Sequence, residues 1–340
     1  MREESLGDSA LTETETDTVV MARRPGKGVD PGDFSVRRQE IAAPGEGEVV
    51  VHNHLTSVDP YQLNNLRRHQ SVGEVVQAGC VGVVVESNDD RAPVGTQVAT
   101  YSGWSEYATW RLAATEIADR ALGDESDWIH VLGTPGVTAY VGLHDVGGVS
   151  PGSTVAVSAA AGAVGGVAVQ LAKAAGARVI AIAGGAHRVR HTVETLGADV
   201  GLDYRDDGFA RDYRAAAGDG IDLFFDNVGG DLLRDTLPLL ASSGKAVVSG
   251  TVSSYADDSG GFFHPGDPAM EGDRVRSFLV GDYYEKRLLP IRAELSRLLK
   301  EGQVTTVISE FEGLESAPEA FASVFRKGSP FLGKRVVRIA

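Results

Sequence analysis

Gly162 and Gly165 stand three apart, behind a short β-branched apolar run from Thr154 to Ser158. Ahead of them, from Val167 to Ala175, apolar residues recur at helical spacing. This order suits one kind of chemistry. A glycine in the turn lets backbone approach a pyrophosphate, and a second lets the helix pack tightly on the strand. The helix start then offers unpaired N–H groups and a positive dipole end to the phosphates. Gly176 sits where a helix-ending glycine belongs, and a second strand is expected from Ala177 to Ala183. Strand, glycine turn, helix and strand in about 30 residues make a dinucleotide-binding βαβ unit. Its strict fingerprint lacks the first glycine, which is Ala160 here.

The end of the second strand bears on which dinucleotide is bound. An acid there would hold the adenosine ribose hydroxyls and repel a 2′-phosphate, whereas a guanidinium pairs with one. Ile182 to Arg190 contains no acid but carries Arg188 and Arg190. NADPH is therefore expected, with Arg188 as the contact and Arg190 on a solvated helix face. Further strands, Ile221–Phe225 and Lys245–Ser249, end in Asp226-Asn227-Val228-Gly229-Gly230 and Gly250-Thr251. Ligands of such sheets bind outside the carboxyl ends of strands, so Asn227, Val228, Gly250 and Thr251 are candidates for the nicotinamide end. Ser253 to Arg274 lacks a period and is expected to be a functional loop.

The elements that must hold these residues follow two patterns. Residues 1–17 contain many acids, Ser and Thr and are expected to be a disordered tail. Short strands follow at Thr18–Ala22, Phe34–Gln39, Gly47–Leu55, Gly79–Glu86, Gln97–Tyr101 and Trp104–Trp110, separated by Pro/Gly turns. This spacing predicts a barrel-like β domain over 18–126. Strands and helices alternate over 127–296, as in a doubly wound parallel sheet. Within it a helix is expected at Leu232–Leu240. A helix at Arg292–Lys300 and strands at Val304–Ile308 and Arg335–Ile339 lead back to the β domain over 297–340.

The formal charge of −15 argues against nucleic-acid binding or an anionic membrane surface. Cys80 is the only cysteine, so neither an intrachain disulfide nor a thiolate-rich zinc site is possible. No stretch reaches the roughly 18 apolar residues of a membrane span, and no signal-peptide core is read at the start; a reducing cytoplasm is expected. His52 and His54 share one side of a predicted strand and are read as a solvent-facing pair, with no metal.

From Thr18 to Ala340 the chain resembles the zinc-independent medium-chain dehydrogenases/reductases, in the branch of leukotriene B4 dehydrogenase/prostaglandin reductase and the curcumin and 2-alkenal reductases. The matching stretches are Ser57-Val58-Asp59-Pro60-Tyr61, Gly103-Trp104-Ser105-Glu106-Tyr107, Gly133 to Tyr140, Ala159 to Gly165, Phe225 to Gly230, Ser253-Ser254-Tyr255 and Gly333-Lys334. The resemblance implies an α/β fold in which a GroES-like β-rich catalytic domain joins a Rossmann doubly wound parallel sheet. It also implies NADPH-dependent reduction of the carbon–carbon double bond of a small α,β-unsaturated carbonyl, and a homodimer. Arg188 takes the place of a lysine that meets the 2′-phosphate, and Tyr204 matches a tyrosine that holds it. Pro135, Thr138, Ala161, Ala163, Val164, Gly184 and Ser253 join Gly162 in the implied coenzyme site. Tyr255 corresponds to a loop tyrosine near the substrate carbonyl, and Tyr61 is a second catalytic candidate; Asp59 is read as a turn cap.

The chain departs from the branch at Gln62-Leu63, in a shortened loop from Asn65 to Val76, at Ala256, and at Phe331 where a coenzyme-contacting asparagine is usual. Two other readings therefore stand beside the enone reductase: a quinone or carbonyl reductase, and a non-catalytic NADPH-binding protein.

Overall fold

A computed structural model describes residues 14–26, 28–250, 274–326 and 328–339. The chain opens with an antiparallel pair, β1 (Glu15–Met21) and β2 (Phe34–Glu40). The expected tail therefore ends too late. Glu15, Thr16 and Asp17 pair with Glu40, Gln39 and Arg38, and the Arg38 guanidinium binds Glu15 at 2.9 Å. The acids that resemble tail composition are the partners of a basic strand, and Thr16 between them is buried.

Among the described residues the main β sheet has seven strands. Its path runs β14 (Ile308–Glu312), β15 (Lys334–Arg338), β3 (Glu48–Val58), β4 (Cys80–Ser87), β5 (Gln97–Thr100) and β7 (Glu116–Ile117), with β6 (Tyr107–Arg111) also on β3. The C-terminal strand thus lies beside β3, antiparallel, with Arg335 opposite Val58. Trp104 anchors the adjoining core: it is fully buried, lies 5.6 Å from Phe34 and 5.8 Å from Phe321, and donates its indole N–H to the Ser57 carbonyl. The stretch after Tyr61 holds a helix, α1 (Gln62–Arg68), which buries Leu63 and Leu66.

In the second unit the described residues form a six-stranded sheet in the order β10 (Val200–Asp203), β9 (Arg178–Ala183), β8 (Thr154–Ser158), β11 (Ile221–Asp226), β12 (Leu240–Val248) and β13 (Val275–Ser277). Every pairing is parallel. Side chains alternate between two covered faces, which is why the central strands β8, β9 and β11 are buried along most of their length. Val155, Val157, Val179 and Phe225 face one buried layer, while Ala156, Ile180 and Phe224 face the other. The strand order reverses at β8, which puts a crevice at its carboxyl end.

Three sequence expectations need correction here. The helix expected at Leu232–Leu240 stops early: α7 covers Gly230–Thr236, a 3-10 turn covers Leu237–Leu239, and β12 begins at Leu240. Pro238 has no N–H to continue the helix. The last long helix, α8 (Tyr284–Lys300), starts eight residues before Arg292 and passes through Pro290, whose side is exposed. Finally, the strand expected at Val304–Ile308 is displaced to Ile308–Glu312. Val304 is buried, but the Thr305 N–H donates to the Gln170 side chain at 2.8 Å and the Val307 N–H to His130, so these bonds go to side chains rather than to a ladder.

Candidate active site

At the carboxyl end of β8 the chain turns through Ala159, whose φ of +48° is left-handed, and enters α4 (Ala163–Ala174) at Gly162. Gly165 makes the close approach that the turn needs: a Cβ there would lie 2.3 Å from the Ala159 carbonyl oxygen and 2.9 Å from its carbon. Gly176 has φ +80° and ends the helix as expected. The C-terminal strand reaches this turn. Gly333, at φ +62°, donates its N–H to the Ala161 carbonyl at 2.9 Å, and any Cβ on it would lie 2.0 Å from the Val307 oxygen. Gly162, Ala161, Ala163 and Val164 thus sit between the two sheets.

α3 (Thr134–Tyr140) packs beside α4 and places Pro135 and Thr138, both largely buried, on the same side. His130, just before it, is tied to the turn: its Nε2 lies 3.0 Å from the Ala163 carbonyl, and its Nδ1 accepts from the Val307 N–H at 3.3 Å. A carbonyl on one nitrogen and an N–H on the other require the neutral Nε2–H tautomer. Burial, with Lys334 nearby, lowers its pKa to about 4, against a backbone bond that raises it. Because the folded value lies below the unfolded one near 6.5, this contribution is whole above pH 6.5 and lost as pH falls to about 4. The loss expected is on the order of 3 kcal/mol. Thermal melts between pH 8 and 4.5 should fall more steeply for the wild-type chain than for His130→Gln; parallel slopes would contradict this.

Where the sequence places the nicotinamide end, the strand termini are laced together. The buried Asp226 carboxylate accepts from Ser158 Oγ at 2.7 Å and from the N–H groups of Val228 and Gly229, and burial raises its pKa. Asn227 donates its amide to the Ser158 carbonyl and accepts from Ser249 Oγ at 2.7 Å. Its side chain therefore joins β8, β11 and the end of β12. Val228 and Gly250 lie at the same rim, the Gly250 N–H reaching Asp226 at 3.4 Å. Thr251, Ser253 and Tyr255 lie outside the described residues, as does most of the expected loop.

The residues expected at the adenosine end are brought together by β9, β10 and α5 (Ala186–Glu194). Gly184 abuts the Tyr204 ring, which a Cβ would meet at 2.6 Å, and Arg205 stands beside it. Arg188 faces both: burial and the Arg205 charge lower its pKa, while Tyr204 raises it. Arg188 Nη2 donates to the Ser329 carbonyl at 2.5 Å, but its Nε–H is buried with no partner. Phe331 packs on Phe311 at 4.7 Å, under the Arg335 guanidinium. Arg335 Nε is a second buried donor without a partner. Unpaired cationic donors beside a glycine turn fit a phosphorylated dinucleotide.

Across the cleft, Tyr61 Oη lies 2.7 Å from Tyr101 Oη. Burial, followed by the Asp59 charge, lifts the Tyr61 phenol well above its ordinary range, and burial also raises Tyr101. Tyr284, also near Tyr61, reaches Thr134 Oγ1 at 3.2 Å, so phenols from both units meet here. Behind them is an ion pair that the sequence does not announce. Lys334, 1% exposed, binds Asp59, Ser57 Oγ at 2.6 Å and the Val58 carbonyl at 3.3 Å. Asp59 is thus the counter-ion of a buried ammonium rather than a turn cap. Gly333-Lys334 is visible as a motif, but its partner lies 275 residues away.

Zinc does not fit these residues. Among the described residues no group of three or more His, Cys, Asp or Glu could hold a metal. The buried Cys80 thiol instead contacts Thr56 and the Gly103 carbonyl, and burial raises its pKa. His52 stacks on Tyr107 at 4.4 Å, and His54 pairs with Glu125 at 2.8 Å.

Residues 18–117 match the family model described as the N-terminal domain of oxidoreductase, and 163–294 match the one described as zinc-binding dehydrogenase. The class is therefore that of two-domain oxidoreductases. The NADPH-dependent curcumin reductase of Escherichia coli (strain K12) is 35% identical, covering 94% of this chain and 96% of the relative. The 2-alkenal reductase (NADP(+)-dependent) of Nicotiana tabacum is 33% identical over 87% of this chain and 88% of the relative. The crystal structure of CurA from Vibrio vulnificus in complex with NADPH superposes with TM-score 0.85 at 31% identity, covering 95% of this chain and 99% of that one. The chain belongs to the medium-chain dehydrogenase/reductase family, in the branch of the curcumin, prostaglandin and 2-alkenal reductases. No helix of the described residues is long and apolar enough to cross a membrane.

Proposed function

We propose that this protein uses NADPH to reduce the carbon–carbon double bond of a small α,β-unsaturated carbonyl compound. The observation that carries the coenzyme half is Arg188, half-buried at an acid-free strand end beside Gly184 and Tyr204, with a donor unpaired. The substrate half rests on the family branch. Bound NADPH supplies a hydride to the β-carbon of such a substrate. The chain's own residues must orient the substrate and receive the negative charge on its carbonyl oxygen. Tyr61 and Tyr101 share one hydrogen bond between two hydroxyls, which leaves one O–H to donate to that oxygen. Their raised pKa values keep both phenols protonated at neutral pH. Tyr255 is our second donor candidate. We assign the protein to a reducing cytoplasm as a homodimer, on its lone buried thiol and on two exposed leucines, Leu279 just after β13 and Leu289 on α8; light scattering tests the dimer.

The test is NADPH oxidation with medium-chain enones, enals and quinones, beside NADH. Arg188→Ala is expected to raise KM for NADPH by about tenfold or more with kcat within about twofold, and to leave KM for NADH unchanged. Preference for quinones would replace the substrate half of the proposal. NADPH binding without turnover on any acceptor would remove it.

A further inference from the structure

Arg188 and Arg335 come from different units of the fold, α5 on the parallel sheet and β15 on the β sheet. Both guanidiniums reach Ser329: Arg188 Nη2 donates to its carbonyl at 2.5 Å, and Arg335 Nη2 to its hydroxyl at 2.8 Å. Each keeps a buried Nε–H with no acceptor. Burial and the Arg188 charge pull the Arg335 pKa down to about 10. Two half-buried like charges held at one residue are unfavourable unless an anion sits between them. The Arg335 guanidinium carbon lies 5.3 Å over the Phe331 ring, a contact that favours this orientation. The chain from Ser329 to Gly333 also ends on the pyrophosphate turn, where Gly333 binds Ala161.

We propose that Arg335 is a second ligand of the coenzyme's 2′-phosphate, so that selectivity for NADPH is shared between the two units. The inference rests on the NADPH reading above and adds to it a residue from the catalytic side. Arg188 and Arg335 present two forks to one dianion, and Phe331 holds the second fork in place. The phosphate then ties β15 to α5, and the ligand that selects the coenzyme also fastens the cleft.

Calorimetric binding of adenosine 2′,5′-bisphosphate and of adenosine 5′-monophosphate to the full chain tests this without turnover. Arg335→Leu is expected to weaken the bisphosphate by about tenfold or more while changing the monophosphate by less than about twofold. Arg335→Lys, which keeps the charge but loses the fork, should fall between. Should Arg335→Leu fail to fold, Arg335→Gln, which keeps a neutral donor for Ser329, reads the same difference. Undiminished bisphosphate binding, or equal loss of both nucleotides, would overturn the assignment of Arg335 while leaving Arg188 and NADPH standing. A wild-type chain that binds both nucleotides equally would overturn the NADPH reading and this inference with it.

Discussion

Asp59→Asn is expected to cost about 3–5 kcal/mol of stability, measured by urea unfolding at pH 7. The substitution is nearly isosteric and keeps an oxygen for Lys334 to bond, so what it removes is charge. Lys334 is then a buried ammonium with only neutral oxygens around it: the Ser57 hydroxyl, the Val58 carbonyl and the introduced amide. Deprotonation caps the penalty. A lysine of ordinary pKa 10.5 gives up its proton at pH 7 for about 5 kcal/mol. Burial already lowers the Lys334 pKa and Asp59 opposes that; without Asp59 it falls further. The folded pKa then lies well below the unfolded one, so the variant should gain stability as pH rises between them. The double variant Asp59→Asn/Lys334→Met removes both charges and should recover most of the loss. A single variant as stable as the wild-type chain would show that the pair contributes nothing. Because Lys334 follows the glycine that meets the coenzyme turn, and Asp59 precedes the Tyr61 segment, coenzyme affinity should fall with stability in Asp59→Asn.

Gly165→Val should be the most damaging change in the coenzyme turn, costing on the order of 3 kcal/mol or more and abolishing coenzyme binding. The Cβ would meet the Ala159 oxygen at 2.3 Å, its carbon at 2.9 Å and the Ala160 Cα at 3.0 Å, all of them backbone. Ala159 already holds a left-handed φ of +48°, so the corner has little room to yield. Gly162→Ala is the contrasting case, because its Cβ would meet only the Ala159 oxygen, at 3.2 Å. It should melt close to the wild-type temperature while weakening the coenzyme, since the methyl would stand where backbone approaches pyrophosphate. Thermal melts paired with NADPH titration separate the two. Equal behaviour of the two variants would refute the division of labour between the glycines.

Much of this is legible in the sequence because it is local. The bounds of β8 follow to the residue from a β-branched run, and the helix-ending role of Gly176 from its place after a helical period. Gly184, Arg188 and Tyr204 are drawn together because they follow adjacent parallel strands. Boundaries fail where a local signal has two meanings. Acids at Glu15 and Asp17 resemble a tail until a basic strand is found opposite, and the helix expected from Arg292 begins at Tyr284, with Pro290 carried on its exposed face. Phe331, in sequence a coenzyme-site candidate that departs from the branch's asparagine, is the seat of a guanidinium.

By itself, the sequence determined the parallel sheet, its glycine turn and an acid-free strand end bearing an arginine, because hydrophobic period and turn chemistry act over a few residues. Only the tertiary structure decided that Lys334 answers Asp59, that Tyr61 meets Tyr101, and that Arg335 shares Ser329 with Arg188. Those pairings join residues up to 275 apart along the chain. Charge and hydroxyl groups carry no record of their partners; burial removes the water that would otherwise serve them, and the register of β15 on β3 then selects which side chain takes its place.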